Sequence, residues 1–248
     1  MKDSTLTAAD SADPEPDGQS PRRRRLVRTA AMALAVLLVL SGSGMLGYVA
    51  WEFYGTDIVS RRAQAALTLE IRERWQHPTV SDLLGPDVSP SQGSAIALMR
   101  IPRFGPEYEV PLIEGVRDED LARGIGHFAG AGAGQVGNFA LAAHRDSHGE
   151  PFHDMPTLRP GDEVLVETTI ATYTYQLDTN PNDLVVPFAQ TWVIDPVPVA
   201  PADAPPQMPT FDSEVATDAL ITLTTSSELF RTDDRMVAFG HLASTSPK

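Results

Sequence analysis

The chain has 248 residues, 42% of them hydrophobic and 21% charged, which is ordinary globular composition with room for one sizeable domain. The part after Arg28 holds 13 basic and 28 acidic residues, and this balance excludes a nucleic-acid partner, because phosphate binding needs clustered positive charge. The chain contains no cysteine, which excludes disulfides, cysteine-based metal sites and a thiol nucleophile.

The N-terminal part is predicted to be a polar tail followed by a membrane anchor. Residues 1–28 lack apolar periodicity and end in a basic cluster, which indicates a disordered cytoplasmic tail. Residues 29–51 carry no charge and are long enough to cross a bilayer core of about 30 Å. The basic residues before this span, and Trp51, Phe53 and Tyr54 at its far end, put the N-terminus in the cytoplasm and the rest outside the cell. A cleaved signal peptide is the alternative, since it shares the charged start and apolar middle.

Residues 52–94 are predicted to form a stalk helix and a linker. From Thr56 to Gln76 the apolar residues recur at helical spacing, with Thr56 as an N-cap. The stretch that follows, from His77 to Ser94, is interrupted by proline and glycine, which is typical of a linker.

Residues 95–248 are predicted to form a β domain. The sequence breaks into short runs of β-forming residues separated by proline and glycine, with one short helical piece at residues 118–123. Many short strands with little helix predict a barrel or a sandwich. The predicted strands are Ala95–Ile101, Tyr108–Ile113, Asn138–Ala143, Glu163–Glu167, Thr172–Leu177, Leu184–Val186, Trp192–Ile194, Ile221–Thr225 and Met236–Leu242.

The last two predicted strands flank a polar loop. Ser226 directly follows the first of them and Arg235 comes just before the second. Such a pair can place a nucleophilic hydroxyl beside an oxyanion-stabilising cation. An ordinary hairpin, in which serine and aspartate only form the turn, is the alternative interpretation.

A histidine-rich loop follows the third predicted strand. His144 stands at the strand end, where it could meet Ser226 as an acid or base. The alternatives are a surface histidine and a metal site, because zinc sites use neighbouring histidine and carboxylate ligands. The candidate metal ligands are His144, His148 and His153 with Asp146 and Asp154 among them, and no H-E-x-x-H helix is present.

Several segments match motifs of one known family in their order along the chain. The segment GNFALAAHRDSH, residues 137–148, is similar to a GN-hydrophobic-AGHR-x-x-H segment, and residues 222–225 are similar to a TLxT tetrapeptide that precedes a catalytic cysteine. Arg235 falls at the position of a catalytic arginine. These segments resemble the sortase family, most closely its class E of Gram-positive bacteria. Further matches in order are residues 101–102, 114–128, 159–162 and 193–196.

The resemblance implies both a fold and an activity. The fold is mainly β, a closed eight-stranded β-barrel with short helices behind an N-terminal transmembrane helix. The activity is a transpeptidase that cleaves exported proteins between Thr and Gly of an LPxTG-like or LAxTG-like C-terminal sorting signal. It then passes the protein to an amine of a peptidoglycan precursor or another acceptor, which attaches it to the cell wall. His144 carries over as the acid/base and Arg235 as the oxyanion stabiliser, and no cofactor is implied.

Ser226 stands where the family has its catalytic cysteine. A serine hydroxyl stays neutral near pH 7 and needs a base at the moment of attack, whereas a thiol ionises readily beside an imidazolium. We therefore expect weak or lost activity. Three explanations of Ser226 stay open: an engineered inactivation, a natural loss of activity, or a working serine nucleophile. A silent sortase fold that binds sorting peptides and a metal-dependent exported hydrolase are the alternative functions.

Overall fold

The N-terminal unit contains one long helix. The computed structural model describes residues 21–50, 56–78, 90–201, 215–227 and 233–248. Helix α1, Pro21–Ala50, contains a segment of mean hydropathy 2.0 from Arg28 to Tyr48, which is long and apolar enough to cross a membrane. The helix begins before the predicted start at residue 29, because Pro21 suits a first helical position and arginine has good helix propensity. The basic cluster is therefore helical, and not part of a disordered tail.

Some predictions fall outside the described residues. They concern the tail before Pro21, most of the linker, and the aromatic residues Trp51, Phe53 and Tyr54.

Helix α2, Thr56–Gln76, forms over the predicted range. One face of it is buried, with Leu67 and Ile71 packed against Leu98 and Ile113 of the β domain. This apolar contact holds α2 on the outside of the barrel.

The β domain is a closed barrel of eight strands, as predicted, with a ninth strand attached outside the ring. The ring order is β6, β5, β1, β2, β3, β4, β8, β9 and back to β6, while β7 pairs with β9 and with no other strand of the described residues. The pairs β2–β3 and β4–β8 are parallel and the others antiparallel. The strands are β1 Ala95–Arg100, β2 Val110–Glu114, β3 Ile125–His127, β4 Gly137–Ala142, β5 Glu163–Glu167, β6 Ala171–Leu177, β7 Val185–Pro187, β8 Ala219–Ser226 and β9 Asp234–Pro247.

Two local predictions were wrong. The apolar run at Trp192–Ile194 is a 3-10 helix, Thr191–Ile194, because its side chains pack on the outer face of β9 instead of pairing with a neighbouring strand. Strand β3 was missed because three residues are too short to show an alternating pattern. The chain entering β3 lies so close to β2 that residue 124 must be glycine, since a Cβ at Gly124 would lie 2.2 Å from the carbonyl oxygen of Pro111.

Strand β8 is buried on both faces. Ile221 and Leu223 point into the barrel core. The alternate residues Thr222, Thr224 and Ser226 therefore point outward. Beyond them, residues of β7 and of the 3-10 helix pack on β9 and cover this outer face. Thr222 and Thr224 on the outer face of β8 are thus buried without lying in the barrel core, and Ser226 at the strand end is half-buried.

Candidate active site

Ser226 and Arg235 lie directly opposite each other on β8 and β9. The amide of Ser227 donates to the carbonyl of Asp234 at 3.1 Å, so the residues at 226 and 235 form a non-hydrogen-bonded pair. In such pairs the Cα atoms lie about 4.5 Å apart and the side chains are close. The serine hydroxyl and the guanidinium therefore share one face of the sheet.

His144 reaches the same place from β4. The parallel pairing of β4 with β8 runs to Ala142 and Thr224, and the amide of Ala143 donates to the carbonyl of Thr224 at 3.2 Å. The Thr225 hydroxyl donates to the carbonyl of Ala143 at 2.8 Å, which ties the two strand ends together. His144 follows Ala143 directly, so it stands at the same end of the paired strands as Ser226. The three predicted residues are thus brought to one end of three neighbouring strands, β4, β8 and β9.

Arg235 is a buried cation, only 3% exposed. Its Nη2 donates to the carbonyls of Phe188 at 3.2 Å and Gln190 at 2.6 Å, and the Phe188 ring lies 5.3 Å from its Cζ. Burial lowers the pKa of the guanidinium from its ordinary value. Its Nε is buried and has no hydrogen bond to the residues that the structure describes. This donor belongs to the residue that pairs with Ser226 across β8 and β9.

A second arginine lies at this edge of the sheet. Arg145 follows His144, and its Nη1 donates to the carbonyl of Ser227, the residue after Ser226. Its Nε is buried, and the described part of the chain gives it no hydrogen bond. Arg145 thus joins the end of β4 to the end of β8 and adds a second positive charge.

Asn138 secures the segment that surrounds Arg235. Its amide nitrogen donates to the carbonyls of Val193 at 3.1 Å and Asp195 at 3.0 Å, and its oxygen accepts from the Thr222 hydroxyl at 2.7 Å. The sequence motif marked Asn138 but assigned it no role. The contribution of Phe188 and Gln190 had no sequence signal, because they act through backbone carbonyls.

The alternative metal site is not formed. The ring of His148 stacks on that of His144 with centroids 4.6 Å apart, whereas Nδ1 of His153 lies 3.3 Å from the carbonyl oxygen of Arg145. The described residues, which include all five candidate ligands, contain no group of three or more histidine, aspartate and glutamate side chains placed for a metal ion.

Several known proteins are similar to this chain in sequence and in structure. The family model described as "Sortase domain" matches residues 99–243. Sortase SrtE1 of Streptomyces coelicolor is 28% identical over 232 residues, which cover 88% of this chain and 59% of that protein, and the chain thus spans under two thirds of its length. Sortase SrtE2 of the same organism is 26% identical over 90% of this chain and 87% of that protein. The structure of sortase E from Streptomyces avermitilis is 38% identical, with a TM-score of 0.53 over 64% of this chain and 93% of that chain.

Proposed function

The chain belongs to the sortase family of transpeptidases, with class E relatives, and on this basis we propose that it acts on C-terminal sorting signals of exported proteins. The substrate class is an LPxTG-like or LAxTG-like signal, cleaved between Thr and Gly. The acceptor is an amine of a peptidoglycan precursor or another amine, which attaches the protein to the cell wall. The activity of this chain is weak or lost, because Ser226 occupies the nucleophile position.

The pairing of Ser226 with Arg235, and the position of His144 just past the β4 end that pairs with β8, carry this proposal. The Ser226 oxygen attacks the threonine carbonyl carbon of the signal while His144 accepts the hydroxyl proton. The resulting tetrahedral oxyanion is stabilised by the Arg235 guanidinium. His144 then protonates the departing glycine amine, which leaves an ester on Ser226. The acceptor amine attacks that ester and restores the serine.

Serine makes the first step slow. Its hydroxyl must lose the proton during attack, whereas a thiol is largely converted to thiolate by a nearby imidazolium before the substrate reacts. Arg235 does not compensate, because it stabilises the charge that forms after attack.

Replacing Ser226 by cysteine tests the proposal. We expect Ser226→Cys to cleave a fluorogenic LAxTG-like peptide at least about 100-fold faster than the unaltered chain, since loss of a nucleophile costs 10⁴-fold or more in other enzymes. Ser227→Cys is the matched control, because the Ser227 hydroxyl is held by the Asp234 carbonyl at 3.2 Å. Equal rates for the unaltered chain and Ser226→Cys would refute the weak-activity proposal, and inactivity of Ser226→Cys would refute the assigned site.

A silent peptide-binding module is the second candidate function, and Ser226 itself favours it. Binding a sorting signal requires contacts with the peptide, to which the Arg235 cation can contribute, but no thiol. Mass spectrometry after incubation with the peptide separates the two functions, because only an enzyme accumulates an ester adduct at Ser226. Peptide binding without the adduct would support the module.

We further propose that α1 anchors the protein in the cell membrane with the N-terminus in the cytoplasm. The basic residues at the start of α1 precede its apolar segment, an arrangement that keeps the basic end inside. The barrel then lies outside the cell, where exported substrates and peptidoglycan precursors are found, and nucleic acid is not a partner. Protease digestion of intact cells should remove the barrel, while a barrel that survives would reverse the orientation.

A further inference from the structure

The loop after β4, residues 144–153, has an unusual backbone; we call it the histidine loop. Three consecutive residues, His148, Gly149 and Glu150, have φ angles of 54°, 83° and 54°. The left-handed region is uncommon for residues other than glycine, and it persists only where the surroundings hold the backbone in place. Something outside the loop must therefore hold it.

Helix α2 makes the contacts that hold this loop. Gln64, 7% exposed, donates from Nε2 to the carbonyl of His148 at 3.0 Å. Nη2 of Arg61 lies 3.2 Å from Oε2 of Glu150. Between these contacts the helix lies so close that a Cβ on Gly149 would be 3.0 Å from Nε2 of Gln64. The helix thus contacts all three residues with left-handed backbone.

These contacts continue the buried face by which α2 is attached to the barrel. The helix is attached through Leu67 and Ile71 in its middle and by the ion pair of Arg72 with Glu109, which is 2.5 Å long. Gln64 lies about one turn before Leu67 on the same face and is buried. Burying its amide costs free energy unless the amide is hydrogen-bonded, and its observed partner is the carbonyl of His148 in the histidine loop. The amide of Gln64 therefore links the attached helix to the loop.

The loop in turn contacts the site. The His148 ring stacks on the His144 ring at 4.6 Å with an interplanar angle of 25°, and a stacked ring restricts rotation of its neighbour. We propose that α2 is a positioning element of the site: Gln64 holds His148 in its left-handed conformation, and the stacked His148 ring sets the orientation of His144. Gln64 and His148 are positioning residues, since they act through His144.

Gln64→Leu tests the inference, because it removes the donor and keeps a side chain of similar size. Gln76→Leu is the matched control, at an exposed glutamine at the end of the same helix. In the unaltered Ser226 chain, the nuclear Overhauser contact between the two imidazole rings should disappear in Gln64→Leu and persist in Gln76→Leu. Its persistence in Gln64→Leu would overturn the inference. Thermal unfolding confirms that both variants are folded.

Kinetics in the Ser226→Cys background give the second readout. Gln64→Leu should lower kcat about tenfold with little change in KM, since a small misplacement of a catalytic group is costly. His148→Asn removes the ring but keeps a residue that tolerates left-handed backbone, and the same loss of kcat is expected. An unchanged kcat in His148→Asn would overturn the positioning role.

This kinetic readout rests on the proposed function, while the nuclear Overhauser contact between the rings of His144 and His148 does not. If the Ser226→Cys chain with Gln64 intact cleaves no peptide, the proposed function fails. The Overhauser measurement still decides the inference in that case.

Discussion

Arginines in two regions of this protein have different partners. In the first region, arginines pair with carboxylates. Arg103 contacts Asp162, just before β5, at 2.8 and 2.6 Å. Arg117 contacts Asp120 of the short helix α3, Asp118–Leu121, at 2.9 and 3.2 Å. At the edge where β4, β8 and β9 meet, the side-chain partners of Arg235 and Arg145 within the described chain are backbone carbonyls.

The difference bears on the role that we propose for Arg235. A carboxylate partner neutralises Arg103 and Arg117 and leaves them little affinity for another anion. Carbonyl partners hold Arg235 and Arg145 in place, and among the described residues neither has a carboxylate partner and each keeps a buried Nε donor without a hydrogen bond. Leaving such groups unpaired costs stability and is common where an anion forms during a reaction.

The largest expected effect comes from exchanging these two kinds of arginine for alanine. In the Ser226→Cys background, Arg235→Ala should lower kcat for peptide cleavage by about 10²- to 10³-fold, as expected for the loss of an oxyanion stabiliser. Arg103→Ala should leave kcat within about twofold, since Arg103 pairs with Asp162. Equal losses in the two variants would contradict the distinction.

A smaller effect is expected on stability at the strand ends that carry the site. Thr225→Val removes the hydroxyl that donates to Ala143 and leaves a buried carbonyl with one partner fewer, which should cost about 1–2 kcal/mol of unfolding free energy. Thr245→Val is the matched control on the exposed end of β9, where a change within about 0.5 kcal/mol is expected. Urea unfolding measures both, and a larger loss at Thr245 would reverse the ranking.

The smallest expected effect is on the stability of the folded protein at low pH. Hydrogen bonds from Arg117 and Arg103 hold the pKa values of Asp120 and Asp162 below their ordinary value. As the pH falls, these two carboxylates therefore bind protons in the unfolded chain before they do so in the folded one. The stabilisation that the ionised carboxylates provide is complete above about pH 5 and is lost progressively below about pH 4. The melting temperature of Asp162→Asn should fall less steeply with acid than that of the unaltered chain. Glu163→Gln, at an exposed neighbour, should keep the original slope.

Local patterns in the sequence determined much of the fold and the candidate residues of the site. An apolar segment predicted α1, helical spacing predicted α2, and runs of β-forming residues predicted eight of the nine strands. Ordered motifs identified the family and drew attention to His144, Ser226 and Arg235. These features could be predicted because each depends on residues close together in the chain.

The tertiary structure decided which of these segments meet. The pairing of β4 with β8, the closing pair β6–β9 and the packing of α2 on the histidine loop join residues far apart in sequence. The partners of Arg235 and the contact of Gln64 involve backbone carbonyls, which every residue type carries and no sequence pattern reveals. The sequence by itself therefore determined which side chains could do the chemistry. The pairing of β4 with β8 and of β8 with β9 decided that His144, Ser226 and Arg235 stand at one end of the sheet, because the order of strands depends on contacts across the whole chain.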